Sequence, residues 1–559
     1  MTLAKILQLI FFLCLCVSVA AQTDSIHLLA VSEDKGTFTG TTAKLFLEIK
    51  PGQGRVFIET IPAAKVDTQL STRFAQQSAC KFTNTDCSKY DFFYQIQSSS
   101  SLIGGPSGGA AIAGLTAAML RGDDVRDDVA ITGTISSGYL IGPVGHVLEK
   151  VEAAAQKNLS LVLIPAGQAE YHDEKNRTFD VITVGRLKGV EVREVENLAQ
   201  VVSLITGKKI EEKPQEIVLP PFYEKTMREV AQELCDHSTE KLSLLETDEL
   251  GEDEQAFVER GKEILLESEN LTDQYYAKAS RCFSANVQFQ KAIDLLKNES
   301  SVEMLNESIS LFESELDAYV IETLSDLQTM MIVRERLRDA KEHLTSDPSY
   351  AKVRFESAQS WARFFGMPSR EYKLDKEALA ASCFAKRGEV EELRQYLLLF
   401  VEQLGGTQTR LEVIDELAQQ GDYASCLYEA ALLHADLQAI ASTLGVSSEE
   451  FEQLVDRKLN AAKTSVAQQI DQGIFPMAAY AYYELGRSVQ ESSPANALIY
   501  AEYALELSEL DLYFEREPAR SVVNLNFVPM VLFFLAGLIF GIVIGMSMRK
   551  RRPRKLRLR

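Results

Sequence analysis

Apolar residues recur at helical spacing over residues 110–120 (Ala110, Ala111, Ala113, Leu115, Ala117, Ala118, Met119, Leu120), which predicts a buried helix. Two short apolar runs follow, 129–135 and 139–144. They read as an extended pair, with a second helix opening around Lys150. From 216 to 512 the pattern changes: acidic and apolar residues interleave three and four apart, as in Phe257, Ile264 and Leu265 or Leu393, Tyr396, Leu397 and Leu398. That spacing predicts an all-helical region. Its breaks fall at Ser346-Asp347-Pro348, Gly366-Met367-Pro368, Gly405-Gly406 and Ser493-Pro494. Small residues and tyrosines at the expected helix crossings, as in Ala478-Ala479-Tyr480-Ala481-Tyr482-Tyr483, suggest a helical repeat of tetratricopeptide type, with an irregular bundle as the alternative.

Two further apolar runs lie near the ends. Residues 6–17 follow Lys5 and lead to the small residues Val19-Ala20-Ala21, the pattern of a secretory signal peptide over 1–21, cleaved or retained as an anchor. Residues 527–548 are uncharged and long enough to cross a bilayer, behind a juxtamembrane stretch at 513–526. Within this run Gly537, Gly541 and Gly545 share one helix face and offer a surface for homo-oligomerisation.

Charge sharpens the topology. The 559-residue chain carries a net −22, yet residues 549–559 form a basic tail of eight positive charges and no acid, which leaves −30 for the rest. Positive charge after an apolar span places the tail in the cytoplasm and the body outside it, at a cell membrane crossed once. So acidic a body excludes a nucleic-acid role. Without the leader, six cysteines remain (Cys80, Cys87, Cys235, Cys282, Cys383, Cys426), an even count that suits an oxidising compartment. Cys80 and Cys87 either close a small loop or stay as buried thiols.

Candidate chemistry centres on Ser107, set among glycines just before the Ala-rich helix, where first-turn amides are available to an oxyanion. No Asp or His lies close by in sequence; Lys150 can serve as the base if burial lowers its pKa. His146, four residues earlier, either modulates that lysine or lies at the rim. The scattered histidines supply no metal motif, so no metal or cofactor is expected. The chain has no G-x-x-x-x-G-K-[ST] loop, so no ATP coupling is expected either.

Gly105-Pro106-Ser107-Gly108-Gly109 and Gly145-His146-Val147-Leu148-Glu149-Lys150 resemble the G-P-S-x-G and G-x-x-x-E-K signatures of the Lon protease proteolytic domain. Asp128-Val129-Ala130-Ile131-Thr132-Gly133, residues 140–145 and Leu161-Val162-Leu163-Ile164-Pro165 are similar to its strands, and the Gly52-Gln53-Gly54 turn to its N-terminal hairpin. The likeness runs from about residue 25 to 207. It implies an α+β Lon-type domain at 22–207; the helical spacing beyond it then gives an all-α domain at 216–512, with a linker at 208–215 between them. It further implies Ser107 as nucleophile, Lys150 as general base, Thr132 as a hydroxyl orienting the lysine, and Gly108 beside the oxyanion. Two positions depart from the pattern: Gly104 where the family usually has Asp, and Thr134 where it has Glu. The expected protein is a serine endopeptidase like the exported, membrane-anchored archaeal forms that lack an ATPase, acting on flexible polypeptides. The competing expectation is an inactive Lon-like scaffold that works through its helical domain.

Overall fold

The computed structural model describes residues 22–34, 37–61, 66–98, 106–172, 178–210, 215–246, 250–272, 274–297, 302–398, 401–443, 446 and 451–516. The expected leader at 1–21, the apolar run 527–548, the basic tail and Gly104 lie outside these residues. Among those described, no helix is long and apolar enough to cross a membrane.

Strands β1 (Gln22–Asp34) and β2 (Thr37–Pro51) form a long antiparallel hairpin with Ile26 opposite Leu45 and Leu28 opposite Ala43. They belong to a seven-stranded sheet in the order β11-β8-β5-β1-β2-β4-β3, with β3 Val56–Ile61, β4 Tyr90–Ser98, β5 Val129–Ile131, β8 Leu161–Pro165 and β11 Glu191–Val195, while β9 (Glu170–His172) and β10 (Thr178–Asp180) pair with each other apart from it. The strands β1, β5, β8 and β11 run parallel. Two-residue periodicity divides the β5 and β8 side chains between two cores. Val129, Ile131, Leu161 and Leu163 face helices α1 (Val66–Phe82), α2 (Gly109–Leu120) and α5 (Leu198–Thr206). Ala130, Val162 and Ile164 face α3 (Val147–Gln156) and α4 (Val181–Leu187). The sheet is therefore mixed, with helices on both faces.

Two expected elements differ. The Gly52–Gly54 turn does not join paired strands, because β4 lies between β2 and β3. Asp91 at the start of β4 pins the turn by accepting from Gln53 N at 2.8 Å and Arg55 N at 3.0 Å. Residues 129–135 are not one strand either. After Ile131 the chain leaves the sheet, and β6 (Thr134–Ser136) pairs instead with β7 (Leu140–Gly142) in a separate two-stranded ribbon. Thr132 and Gly133 occupy the break.

The helical region contains, among the described residues, α6 (Pro221–Leu245), α7 (Glu252–Glu269), α8 (Tyr275–Lys297), α9 (Val302–Asp317), α10 (Leu324–His343), α11 (Pro348–Trp361), α12 (Lys376–Leu397), α13 (Thr407–Gln420), α14 (Tyr423–Thr443), α15 (Phe451–Asp471), α16 (Met477–Val489) and α17 (Pro494–Ser508). Three of the four breaks predicted from Pro and Gly mark helix starts, and Gly366-Met367-Pro368 falls in the loop between α11 and α12. Asp347 caps α11 by accepting from Tyr350 N at 3.0 Å, with Pro348 in the first turn. Pro494 likewise lies in the first turn of α17, where Ser493 gives no side-chain cap. In a solenoid each repeat touches only its neighbours. Here Tyr223 of α6 packs its ring, tilted, on that of Phe475 just before α16, with ring centroids 4.1 Å apart, and one core runs from Tyr223 to Phe514. The arrangement is the bundle rather than the repeat.

The described residues up to Glu515 form one compact unit. Buried polar contacts tie the bundle to the sheet region. Ser137 Oγ donates to Glu506 Oε1 at 2.8 Å, Gly138 N to Glu509 Oε1 at 3.1 Å, and Lys81 Nζ to Asp511 at 3.0 Å.

Candidate active site

Ser107 lies in a single 3₁₀ turn, Pro106–Gly108, that runs directly into α2. The sequence pattern places it at the helix N-terminus; the structure puts it two residues ahead of the first α-helical residue. Residues Gly109 to Met119 of α2 are all buried, so the turn is held by a helix with no exposed face, and Ser107 itself is half-buried. The Ser107 carbonyl accepts from Gly133 N at 2.9 Å, and the Gly133 carbonyl accepts from Ala110 N at 3.0 Å. This reciprocal clamp fixes the serine turn to the break between β5 and β6. Only glycine fits at 133, because a β-carbon there would sit 2.6 Å from Ile141 Cγ2.

Lys150 reaches the same break from the other side. On α3 it shares a stripe with Val147, Val151 and Ala154, all buried, so helical phase alone carries its ammonium into an apolar layer. It is 4% exposed. Its Nζ donates to Thr132 Oγ1 at 3.1 Å. Thr132 is fully buried and is fixed through its amide to Leu163 O at 3.0 Å. Burial lowers the Lys150 pKa to about 7, against the opposing pull of Glu149. Thr132 and Gly133 are adjacent, so one two-residue break holds the lysine by a side chain and the serine by its backbone. Among the described residues no hydrogen bond joins Ser107 Oγ to Lys150 Nζ.

The other expected residues are placed as follows. Gly108 caps α2 with ordinary helical backbone angles. Thr134, where the family pattern has Glu, lies on β6 against Gly142. His146 does not share a face with Lys150. It precedes α3 with φ 57°, accepts from Lys150 N at 3.2 Å through its carbonyl, and packs its ring 4.0 Å from that of Phe38. The left-handed cap swings the ring off the helix face that an uninterrupted helix would have given it. Cys80 and Cys87 do close the small loop, and Cys235–Cys282 and Cys383–Cys426 are also bonded. No cluster of metal-ligating side chains occurs among the described residues.

Sequence reasoning missed the bundle's reach into this site. Gly145 N, at the approach to α3, donates to Tyr396 OH of α12 at 3.1 Å. Gly138 with φ 74° and Tyr139 with φ 60° make a left-handed turn between β6 and β7, against Leu505 of α17. The Ser-Gly-Tyr sequence announces a turn, but nothing local announces its partners.

Residues 59–206 match the model of the Lon protease (S16) C-terminal proteolytic domain. The chain is 33% identical over 132 residues to the Lon protease of Paraburkholderia phytofirmans, covering 22% of this chain and 16% of that one. It is 31% identical over 133 residues to the archaeal Lon protease of Methanothermobacter thermautotrophicus, covering 23% and 21%. With the Lon protease of Phenylobacterium zucineum the figure is 29% over 154 residues, 26% and 19%. The chain thus spans about a fifth of the length of these relatives. The bundle lies outside the matched residues, and the chain carries over 59–206 a proteolytic domain of the Lon type.

Proposed function

We propose that the chain is a membrane-anchored, ATP-independent serine endopeptidase that cleaves unfolded or flexible polypeptides outside the cytoplasm, with Ser107 as nucleophile and Lys150 as general base. The observation that carries this reading is the lysine: buried in an apolar stripe, bonded to Thr132 and near neutrality, it has what a base for a serine hydroxyl needs. Neutral Lys150 takes the Ser107 hydroxyl proton as Oγ bonds to the peptide carbonyl carbon. First-turn amides around Ser107 and Gly108 hold the oxyanion. As the C–N bond breaks, the lysine ammonium returns the proton to the departing amine. Water, activated by the same lysine, then releases the acyl group and restores Ser107. Catalytic hydrogen bonds of this kind often tighten only in the substrate complex, which accommodates the missing Ser107–Lys150 contact.

The apolar runs 6–17 and 527–548, the basic tail and three disulfides all favour a body outside the cytoplasm. No phosphate-binding loop occurs in the sequence, so no pulling force is at hand and substrates must arrive unfolded. The test has two arms. Purified full chain should hydrolyse fluorescein-labelled unfolded casein without ATP, and Ser107→Ala should not. Protease added to intact cells should digest the body while an epitope after Arg559 stays protected. Casein left intact by the wild type would leave the scaffold reading; a body shielded in intact cells would overturn the topology.

A further inference from the structure

A cavity of about 800 Å³ opens between the β6–β7 ribbon and the bundle. This is the size range of ligand sites. One wall is the 138–143 turn and strand; the other is a single face of α15, on which Arg457, Asn460, Thr464 and Gln468 succeed one another at helical spacing. That face runs roughly 16 Å at 1.5 Å per residue, the length of about five residues of extended chain.

The charge on the walls is already spent. Arg457 pairs with Glu196, Arg121 with Asp123, Lys81 with Asp511 and Lys458 with Glu502. The groups left over are neutral. Among the described residues the carboxamides of Asn84, Gln438, Asn460 and Gln468 line the cavity without a hydrogen-bond partner. A carboxamide both donates and accepts, so it complements a peptide group whatever side chain that residue bears. An anionic ligand would call for uncommitted cations, and these walls offer none.

The cavity is also one residue from the serine turn. Ile141 lines it and packs against Gly133, whose amide binds the Ser107 carbonyl at 2.9 Å. We infer that this cavity, built jointly by the ribbon and α15, is a subsite that grips the main chain of an extended polypeptide through neutral carboxamides, independently of its sequence. Its role as a substrate subsite rests on the peptidase reading; its binding does not.

The experiment therefore uses the full chain with Ser107→Ala, which removes turnover, and fluorescein-labelled reduced, carboxymethylated lactalbumin as the probe, read by anisotropy. Adding Asn460→Leu and Gln468→Leu should weaken binding on the order of tenfold, as loss of two neutral hydrogen bonds implies. The weakening should persist in 0.5 M salt, at which surface charges are largely screened. Because the double substitution acts on a helix that also packs into the bundle, a second measurement accompanies it: p-benzoylphenylalanine at position 460 should cross-link to the probe, and at exposed position 491 should not. Affinity unchanged in a double variant of unchanged thermal stability, or equal cross-linking from both positions, overturns the inference. So does displacement of the probe by polyglutamate that disappears in salt, the mark of an anion site. Binding here by a chain that cleaves nothing would sink the peptidase reading alone; cleavage with binding indifferent to 460 and 468 would sink this one alone.

Discussion

Thr132 Oγ1 accepts from Lys150 Nζ at 3.1 Å inside a fully buried pocket, and the next residue, Gly133, donates to the backbone of Ser107. A two-residue interruption of a strand is thus the joint between the base and the nucleophile. If it orients the lysine, Thr132→Val, which keeps the shape and deletes the hydroxyl, should lower kcat by about 10–100-fold. It should change KM little, because it touches no substrate. Thr132→Ser should restore most of the rate. Ser107→Ala and Lys150→Ala should each cost on the order of 10³-fold or more, and combining them should cost little further. Steady-state kinetics on a fluorogenic peptide decide this, and additive losses would mean that the two residues do not act as one unit.

The buried lysine also ties activity and stability to pH. With Lys150 lowered to about 7 by burial, kcat/KM should rise through an apparent pKa near 7 and level off above it. A rate still climbing at pH 10 would mean a solvated amine.

The sign for stability follows from proton counts. Between about 7 and 10.5 the unfolded chain holds a proton on this lysine and the folded chain does not, so stability rises with pH across that window. Below it both states are protonated, and the full cost of a buried ammonium remains. Lys150→Met should therefore stabilise the protein at pH 6–7, by about 2–4 kcal/mol after loss of the Thr132 contact, with the gain shrinking toward pH 10. Urea denaturation at several pH values measures it; a gain that does not vary with pH would place the charge in water.

Much of this site was legible in the chain. Ser107 among glycines before an unbroken apolar helix, and Lys150 in the helix that follows the extended pair, follow from spacing, while the buried stripe it shares with Val147, Val151 and Ala154 emerges only in the fold. The bundle's breaks at Pro348 and Pro494 were legible too. The apolar run 129–135 concealed the break at Thr132-Gly133, because an interrupted strand and a continuous one share the same alternation. The turn at Gly52–Gly54 looked like a hairpin because a tight turn carries no information about which strand is inserted beside it; that depends on β4, some forty residues on. The contacts of Tyr396 with Gly145 and of Glu506 and Glu509 with the ribbon turn join residues hundreds apart, and no local pattern encodes such pairings.

One of those contacts makes the bundle part of the route to Lys150. Gly145 N has Tyr396 OH as its acceptor, five residues ahead of the lysine. Tyr396→Phe leaves that amide without its partner in a half-buried site, at a cost of about 1–3 kcal/mol. Thermal unfolding should show the loss, and the pH profile should show the lysine's apparent pKa moving toward its ordinary value as α3 loosens. An unchanged profile in a destabilised variant would reduce Tyr396 to a purely structural contact.

The last prediction concerns the charge that anchors the ribbon. Glu506 is buried together with Lys386 and His434, and it accepts from Ser137 Oγ at 2.8 Å. Burial alone would raise its pKa, but His434 and Lys386 outweigh it and hold the carboxylate well below its usual range. A depressed carboxylate contributes stability above its unfolded pKa and loses it as pH falls through the folded one, so this anchor should outlast ordinary carboxylates on acidification. Removing one partner strands a charge: Glu506→Leu should cost roughly 3–5 kcal/mol, because Lys386 is 2% exposed and, among the described residues, keeps Glu389 as its one carboxylate partner. Replacing both with apolar groups removes that penalty, so Lys386→Met with Glu506→Leu should be more stable than Glu506→Leu alone. Both variants should still lose activity relative to wild type, since neither restores the acceptor for Ser137. A double variant as unstable as the single one would show that Glu506 acts through Ser137 and His434 rather than through the lysine pair.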